Sequence, residues 1–313
     1  MGEVSVKKNV RWLLVAGIAG IVWFAAAPSP ASAGSYNAMN VSPQIASDNH
    51  RYVSFQKRNR IPYVLDTFTG KLERIKGAYA CHPRDIGGDR VLMICPHKRR
   101  PKHDDTGFRA RVASVHGGPS TMLPHSRRLH DAFEIGKVWV SVGYHPDNPP
   151  RKFVNWQTGI KRTVRHVKNG RDLDSKTLKP LKLQKFTPKP KGYPPEDVGD
   201  FSVCRGENVV VTEFRDDLTL WWSKDRSVRI GKGGFLYYDC EWYDPLRIGP
   251  EAVAWSVGPA VHAYNYRTGQ SFDRRFGKAG SRITPVRDGV VIARKIRNVG
   301  KFRHLFKIKL IRF

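Results

Sequence analysis

The chain has 313 residues and a formal net charge of +28, with 55 Lys and Arg against 27 Asp and Glu. A charge of this size opposes self-association, so a monomer is expected, and it favours anionic partners. Past the N-terminal segment no apolar run approaches the about 20 residues a spanning helix needs, which excludes a multi-span helical membrane protein.

The N-terminus has the layout of an export signal. Lys7, Lys8 and Arg11 form a basic region, the apolar run from Trp12 to Ala27 follows, and Ala31-Ser32-Ala33 supplies a small-residue cleavage pattern. Residues 1–33 are therefore expected to be a cleaved signal peptide, leaving residues 34–313 as one secreted domain outside the cytoplasm. The alternative is a membrane anchor formed by the uncleaved N-terminal segment. Cleavage removes three basic residues and one acid, so the charge falls only to +26.

Strand-like segments then recur in chain order. Tyr52-Val53-Ser54-Phe55 leads to Asp66-Thr67-Phe68-Thr69-Gly70. Val138 to Val142 leads to Asn155-Trp156-Gln157-Thr158-Gly159, and Val253 to Val257 leads to Asn265-Tyr266-Arg267-Thr268-Gly269. In each copy an Asp or Asn stands three residues before the Thr, where its side chain can bond local backbone, and Gly supplies the positive φ of a tight hairpin. Weaker copies occur at Arg90–Ile94, Asn208–Thr212 and Gly289–Ala293. Centres at Val53, Leu92, Val140, Val210, Ala254 and Val291 are spaced 39, 48, 70, 44 and 37 residues apart. Four of these spacings are near the length of a four-stranded propeller blade. Helical periodicity is absent beyond the signal. The alternating stretch Leu305–Leu310 reads as a half-buried last strand, which the segment after the signal can complete.

This pattern resembles the secreted β-propeller repeats of the TolB-like and quinoprotein-like families. The resemblance implies an all-β propeller, six blades before seven, closed by pairing of the N- and C-terminal strands. Two β-sandwiches with similar hairpins are the alternative. The 70-residue spacing is explained by a Lys/Pro-rich loop inserted at about residues 166–199.

Four cysteines in an exported chain read as two disulfides, with three connectivities open. Gly87 and Gly88 lie midway between Cys81 and Cys95, so a hairpin there sets these two opposite each other, which leaves Cys204 with Cys240. The chain has no Cys-x-x-Cys pair, and no metal is expected. No cofactor is expected either, because the tryptophan that the quinoprotein resemblance requires after each Thr-Gly is missing. His97, His103, Asp104 and Asp105 match no hydrolase spacing. Ser223-Lys224-Asp225-Arg226 lacks the Gly and Trp of a sialidase Asp-box. No catalytic residue is assigned.

Basic segments carry the functional expectation. Lys98, Arg99, Arg100 and Lys102 form one, and Lys161 to Lys168 another. The Lys/Pro loop carries Lys176, Lys179, Lys182, Lys185, Lys189 and Lys191. Such segments bind polyanions by releasing counterions, whatever the polymer's sequence. The expected function is thus non-catalytic binding of an anionic polymer or of a cell-surface or extracellular protein. Peripheral membrane contact is compatible with this, whereas export argues against a specific nucleic acid in vivo. The alternative is a secreted propeller enzyme, a hydrolase or lyase acting on a glycan. The aromatic run Phe235–Tyr243 is where stacking on a sugar ring would be sought.

Overall fold

A computed structural model describes residues 35–39, 45–96, 108–126, 132–142, 151–164, 201–206, 208–214, 216–233, 246–276, 282–300 and 303–313. The described residues contain no α-helix. After β1 (Ser35–Met39) come β2 (Ala46–Ser47), β3 (Tyr52–Gln56), β4 (Pro62–Asp66) and β5 (Leu72–Lys76). Next are β6 (His82–Gly87), β7 (Arg90–Pro96), β8 (Phe108–Ser114), β9 (Gly118–Pro119) and β10 (Thr121–Met122), then β11 (Ala132–Ile135), β12 (Trp139–Val142), β13 (Arg151–Asn155) and β14 (Lys161–Val164). The chain continues with β15 (Phe201–Arg205), β16 (Val210–Phe214), β17 (Asp217–Ser223) and β18 (Arg226–Lys232). It ends with β19 (Leu246–Ile248), β20 (Ala252–Val257), β21 (Ala260–Asn265), β22 (Ser271–Arg275), β23 (Arg282–Val286), β24 (Gly289–Gly300) and β25 (Arg303–Arg312).

Hydrogen bonding groups these strands into four separate four-stranded sheets and one nine-stranded sheet. The six-fold repeat expected from sequence is therefore not six separate sheets. The nine-stranded sheet joins β2–β5 to β23–β25 through β1, which pairs with β25 over five residues and with β3 only at Met39 and Gln56.

The second strand of each sheet is buried on both faces, and the period of two decides which neighbour a side chain meets. In β7, Val91 and Met93 pack with Val64 and Ile75 of the preceding strands, whereas Leu92 packs with Val140 and Val154 of the following sheet. In β24, Val290 and Ile292 join Ala254 and Val261 on one side, while Val291 and Ala293 join Val53 and Leu65 on the other. Leu218 and Leu220 of β17 pack with Val253 and Trp255 of β20. Burial on both faces explains why these second strands read as nearly continuous apolar runs rather than alternating ones. Four-stranded meanders stacked face to face in chain order make a β-propeller.

The Asp/Asn-Thr-Gly turns are three copies of one device. Asp66, Asn155 and Asn265 each accept, at Oδ1, two backbone N–H groups, from residues two and three positions on. Gly70, Gly159 and Gly269 have φ of 73°, 77° and 77°, and each donates its N–H to the carbonyl of that same Asp or Asn. The residue after the acid or amide is tied to the connection between the first two strands of its sheet: the N–H of Thr67, Trp156 and Tyr266 reaches Arg51, Val138 and Glu251 carbonyls.

The sequence missed where each sheet begins. The strands that sequence periodicity marks as first (Tyr52, Arg90, Val138, Val253) are the second in their sheets, preceded by β2, β6, β11 and β19. Those leading strands are only two to six residues long, too short for a legible period.

Cys81 and Cys95 form a disulfide, Cα to Cα 4.0 Å. The β6–β7 hairpin turns at Gly88 and Asp89, both at positive φ, and pairs Gly87 with Arg90. That register alone would set Cys81 opposite Pro96. A bulge between Pro83 and Asp85 shifts the pairing by one, so His82 faces Ile94 and Cys81 meets Cys95. Cys204 is also disulfide-bonded; its expected partner, Cys240, lies outside the described residues.

Candidate functional site

Chain direction divides the molecule into two ends. The first strands of neighbouring sheets finish together. A Cβ on Gly87, at the end of β6, would stand 1.9 Å from the Ile135 carbonyl oxygen at the end of β11, so only glycine fits there. Asn208 donates to the Pro250 carbonyl, Asn265 to that of Arg287, and Thr284 to the Asn49 side chain. This turn end holds the links between first and second strands and between third and fourth strands. Alternation then sends the other two links, second to third and sheet to sheet, to the opposite, loop end. The backbone bond from Ala80 to Arg60 and the side-chain bond from Gln56 to Cys81 join two such links there.

The ends differ in chemistry. At the turn end three acids are matched to arginines: Arg51 with Asp66 at 2.7 Å, Glu251 with Arg267 and Arg287 at 3.2 and 3.6 Å, and Arg312 with Asp288. Burial by itself would raise the Asp66 pKa, but hydrogen bonds from Arg51 and the turn backbone bring it below the usual carboxylate value. At the loop end, the described residues include Lys57, Arg58, Arg60, Lys232, Arg274 and Arg275, against the acids Asp216, Asp217 and Asp273. Burial, with the Arg60 charge behind it, holds His82 below the ordinary histidine range. Among the first strands, Arg84, Arg247 and Arg282 are half-buried, beside one half-buried acid, Glu134. Asp85 is buried and accepts the Ile135 N–H at 2.8 Å, which latches two sheets.

A cleft of about 420 Å³ opens at this end between β18 and the β21–β22 hairpin. Lys232, Arg274 and Arg275 line it, together with His262 and Asp273. The His262 ring stacks on Trp255 with centroids 5.3 Å apart, and its Nδ1 is bonded to Asp273 Oδ1. The one acid that lines the cleft is thus bonded to a histidine, and three other lining residues are cationic. Sequence reasoning missed His262 because its partner lies 11 residues away across a hairpin, with no motif between them. No group of three metal-ligating side chains occurs among the described residues.

The sequence-assigned binding residues Lys98, Arg99, Arg100 and Lys102, and Lys176 to Lys191, lie outside the described residues, as does the aromatic run Phe235–Tyr243. Their flanking strands are described. Residues 97–107 connect β7 to β8, a second-to-third link, and residues 165–200 connect β14 to β15, a sheet-to-sheet link. The described strand ends that they join, Pro96 and Phe108, and Val164 and Phe201, are at the loop end. Of the second basic cluster, Lys161 and Arg162 are exposed on β14.

No protein-family model and no curated protein matches the chain. The solved structures it is similar to are β-propellers. The Myceliophteria thermophila Cps50 (Swd1) β-propeller domain is 8% identical with a TM-score of 0.41, covering 86% of this chain and 96% of that one. An Agrobacterium tumefaciens protein described as TolB is 10% identical with a TM-score of 0.33, over 90% and 100% of the two chains. Oligogalacturonate lyase from Vibrio parahaemolyticus is 9% identical with a TM-score of 0.30, over 87% and 78%. Likenesses this loose carry no argument about substrate or partner. What the chain has in common with these structures is an all-β propeller architecture.

Proposed function

We propose that this protein is a secreted, non-catalytic binding protein that takes an anionic polymer across the loop end of a six-bladed propeller. What supports the proposal is topological: the acid-free segments Lys98–Lys102 and Lys176–Lys191 fall within stretches of sequence that run from a second to a third strand and from one sheet to the next. Charge on the loop end adds up instead of being spread around the molecule. The half-buried arginines of the first strands, and a cleft with three cations around one paired acid, support the same polarity.

Six blades follow if β2–β5 and β23–β25 with β1 are counted as two units, since a single residue pair links them. The pairing of β1 with β25 supports closure through the termini, which removes two sheet edges that would otherwise be free to aggregate. The Cys81–Cys95 disulfide is compatible with work outside the cytoplasm.

Binding should be polymer-tolerant and salt-dependent. The test is a binding screen against heparin, polyphosphate, teichoic-type polymer and neutral dextran at two salt concentrations. Binding to each polyanion, weakening with salt, together with none to dextran, is the expected result. Equal binding to dextran, or binding to one polyanion with no salt dependence, would overturn the reading in favour of a specific glycan site.

A further inference from the structure

We infer that the β24–β25 ribbon is a docking element for an anionic lipid bilayer. β23 pairs with β24 only along Gly289–Ala293, and β1 pairs with β25 only along Leu305–Lys309. The two long strands go on pairing with each other as far as Gly300 and Arg303. Beyond Ala293, β24 is therefore an edge strand with β25 as its one strand partner, and from Asn298 and His304 onward the two strands form a two-stranded ribbon at the loop end. Arg294, Lys295, Ile296, Arg297, Asn298 and Val299 are all exposed. From Gly289 to Phe313 the sequence has eight Lys and Arg and no acid.

The ribbon also exposes aliphatic side chains in an unusual place. Among the described residues only five large hydrophobics are exposed, and Ile296 at 49% and Val299 at 41% are two of them. The register breaks twice in this ribbon, between Lys295 and Arg297 and between Asn298 and Gly300. Ile296 and Val299 are the two extra residues at those breaks. A bulge re-aims the side chain it inserts, so the aliphatic groups stand out at the points where the ribbon departs from alternation.

Charge complementarity names an anionic occupant, and the aliphatic pair narrows it. A hydrated polyanion has nothing to offer Ile296 or Val299. A bilayer receives both kinds of group, with basic side chains at the headgroups and aliphatic ones at the acyl boundary. This inference stands apart from the polymer reading, because it uses no residue of the two basic loops.

Every described strand lies at or after Ser35, so a chain starting at Gly34 keeps the fold and avoids the apolar N-terminus. Its co-flotation with phosphatidylcholine vesicles, with and without phosphatidylglycerol, is the experiment. Binding is expected only with phosphatidylglycerol. K295Q/R297Q should lower partitioning about twenty-five-fold, at about fivefold per basic residue near an anionic surface. I296S/V299S should lower it several-fold, including at high salt, and leave heparin retention unchanged. Both variants alter exposed positions, and unchanged thermal midpoints will show that the fold is intact. Heparin retention without vesicle binding would assign the ribbon to a polymer and overturn the inference, while the polymer reading would survive. Full vesicle binding by I296S/V299S would overturn it as well.

Discussion

The turn end and the loop end of this propeller are built from the same strands but solve different problems. At the turn end, described links are short, and many of their polar groups are bonded internally: Asx turns hold backbone N–H groups, and three acids face arginines. At the loop end, the described Lys57, Arg58, Arg60, Lys232, Arg274 and Arg275 outnumber the acids Asp216, Asp217 and Asp273. The difference separates two jobs. Short capped turns fix register and stack the sheets, which frees the opposite links to vary in length and carry charge without cost to the fold.

The comparison breaks most severely where the two jobs meet, at the disulfide. Cys95 is the last residue but one of β7, and its bond to Cys81 ties that strand end to the link that precedes β6. Changing both cysteines to alanine should cost about 3 kcal/mol on the chain-entropy account of a loop this short. Urea denaturation under non-reducing conditions measures this. A loss well under about 1 kcal/mol would mean that the loop end needs no tether.

A smaller effect is expected at the turn end, where Asn265 and Asp66 sharpen the contrast. Asn265 is buried, holds two N–H groups and donates to the Arg287 carbonyl of the next sheet. Asn265→Ala should cost about 1–3 kcal/mol through buried groups left unpaired. Asp66→Asn keeps the turn acceptor and removes only the partly exposed pair with Arg51, so a cost of about 0–1 kcal/mol is expected. Equal costs would show that charge, not the turn, is what the motif supplies. Neither variant should alter polyanion retention.

The smallest effect concerns pH. The fold disfavours a proton on His82, so the unfolded chain binds that proton more readily. Its contribution to stability is thus complete above the unfolded pKa of about 6.5 and declines as pH falls below it. The thermal midpoint of His82→Gln should fall less between pH 7.5 and 5.5 than that of the wild type. An identical fall would contradict the buried, neutral state of His82.

Much of this architecture is legible in the sequence because it repeats. The Asx turns, the middle strands and the Cys81–Cys95 hairpin announce themselves through residues that have few alternative roles. The bulge at Arg84, which corrects the cysteine register, leaves no such mark; nor do the leading strands, which are short and take their places from their neighbours. The His262–Asp273 pair is invisible for the same reason, being made by strand pairing and not by spacing. The charged segments are legible as composition, but which class of link each falls in is not. That depends on the parity of links along the chain, which becomes known only when the leading strands are counted.

The central claim, that the loop end binds polyanions through its basic links, is tested most directly by the salt slope of heparin binding. With Lys176, Lys179, Lys182, Lys185, Lys189 and Lys191 all changed to glutamine, affinity should drop alike for every polyanion. The slope of log K against log salt should flatten by up to about five, at roughly 0.9 for each anionic group that the variant no longer neutralises. The thermal midpoint should not move. A wild-type chain with no retention at about 0.15 M salt, where screening reaches roughly 8 Å, would contradict the claim, as would a six-lysine variant with an unchanged slope.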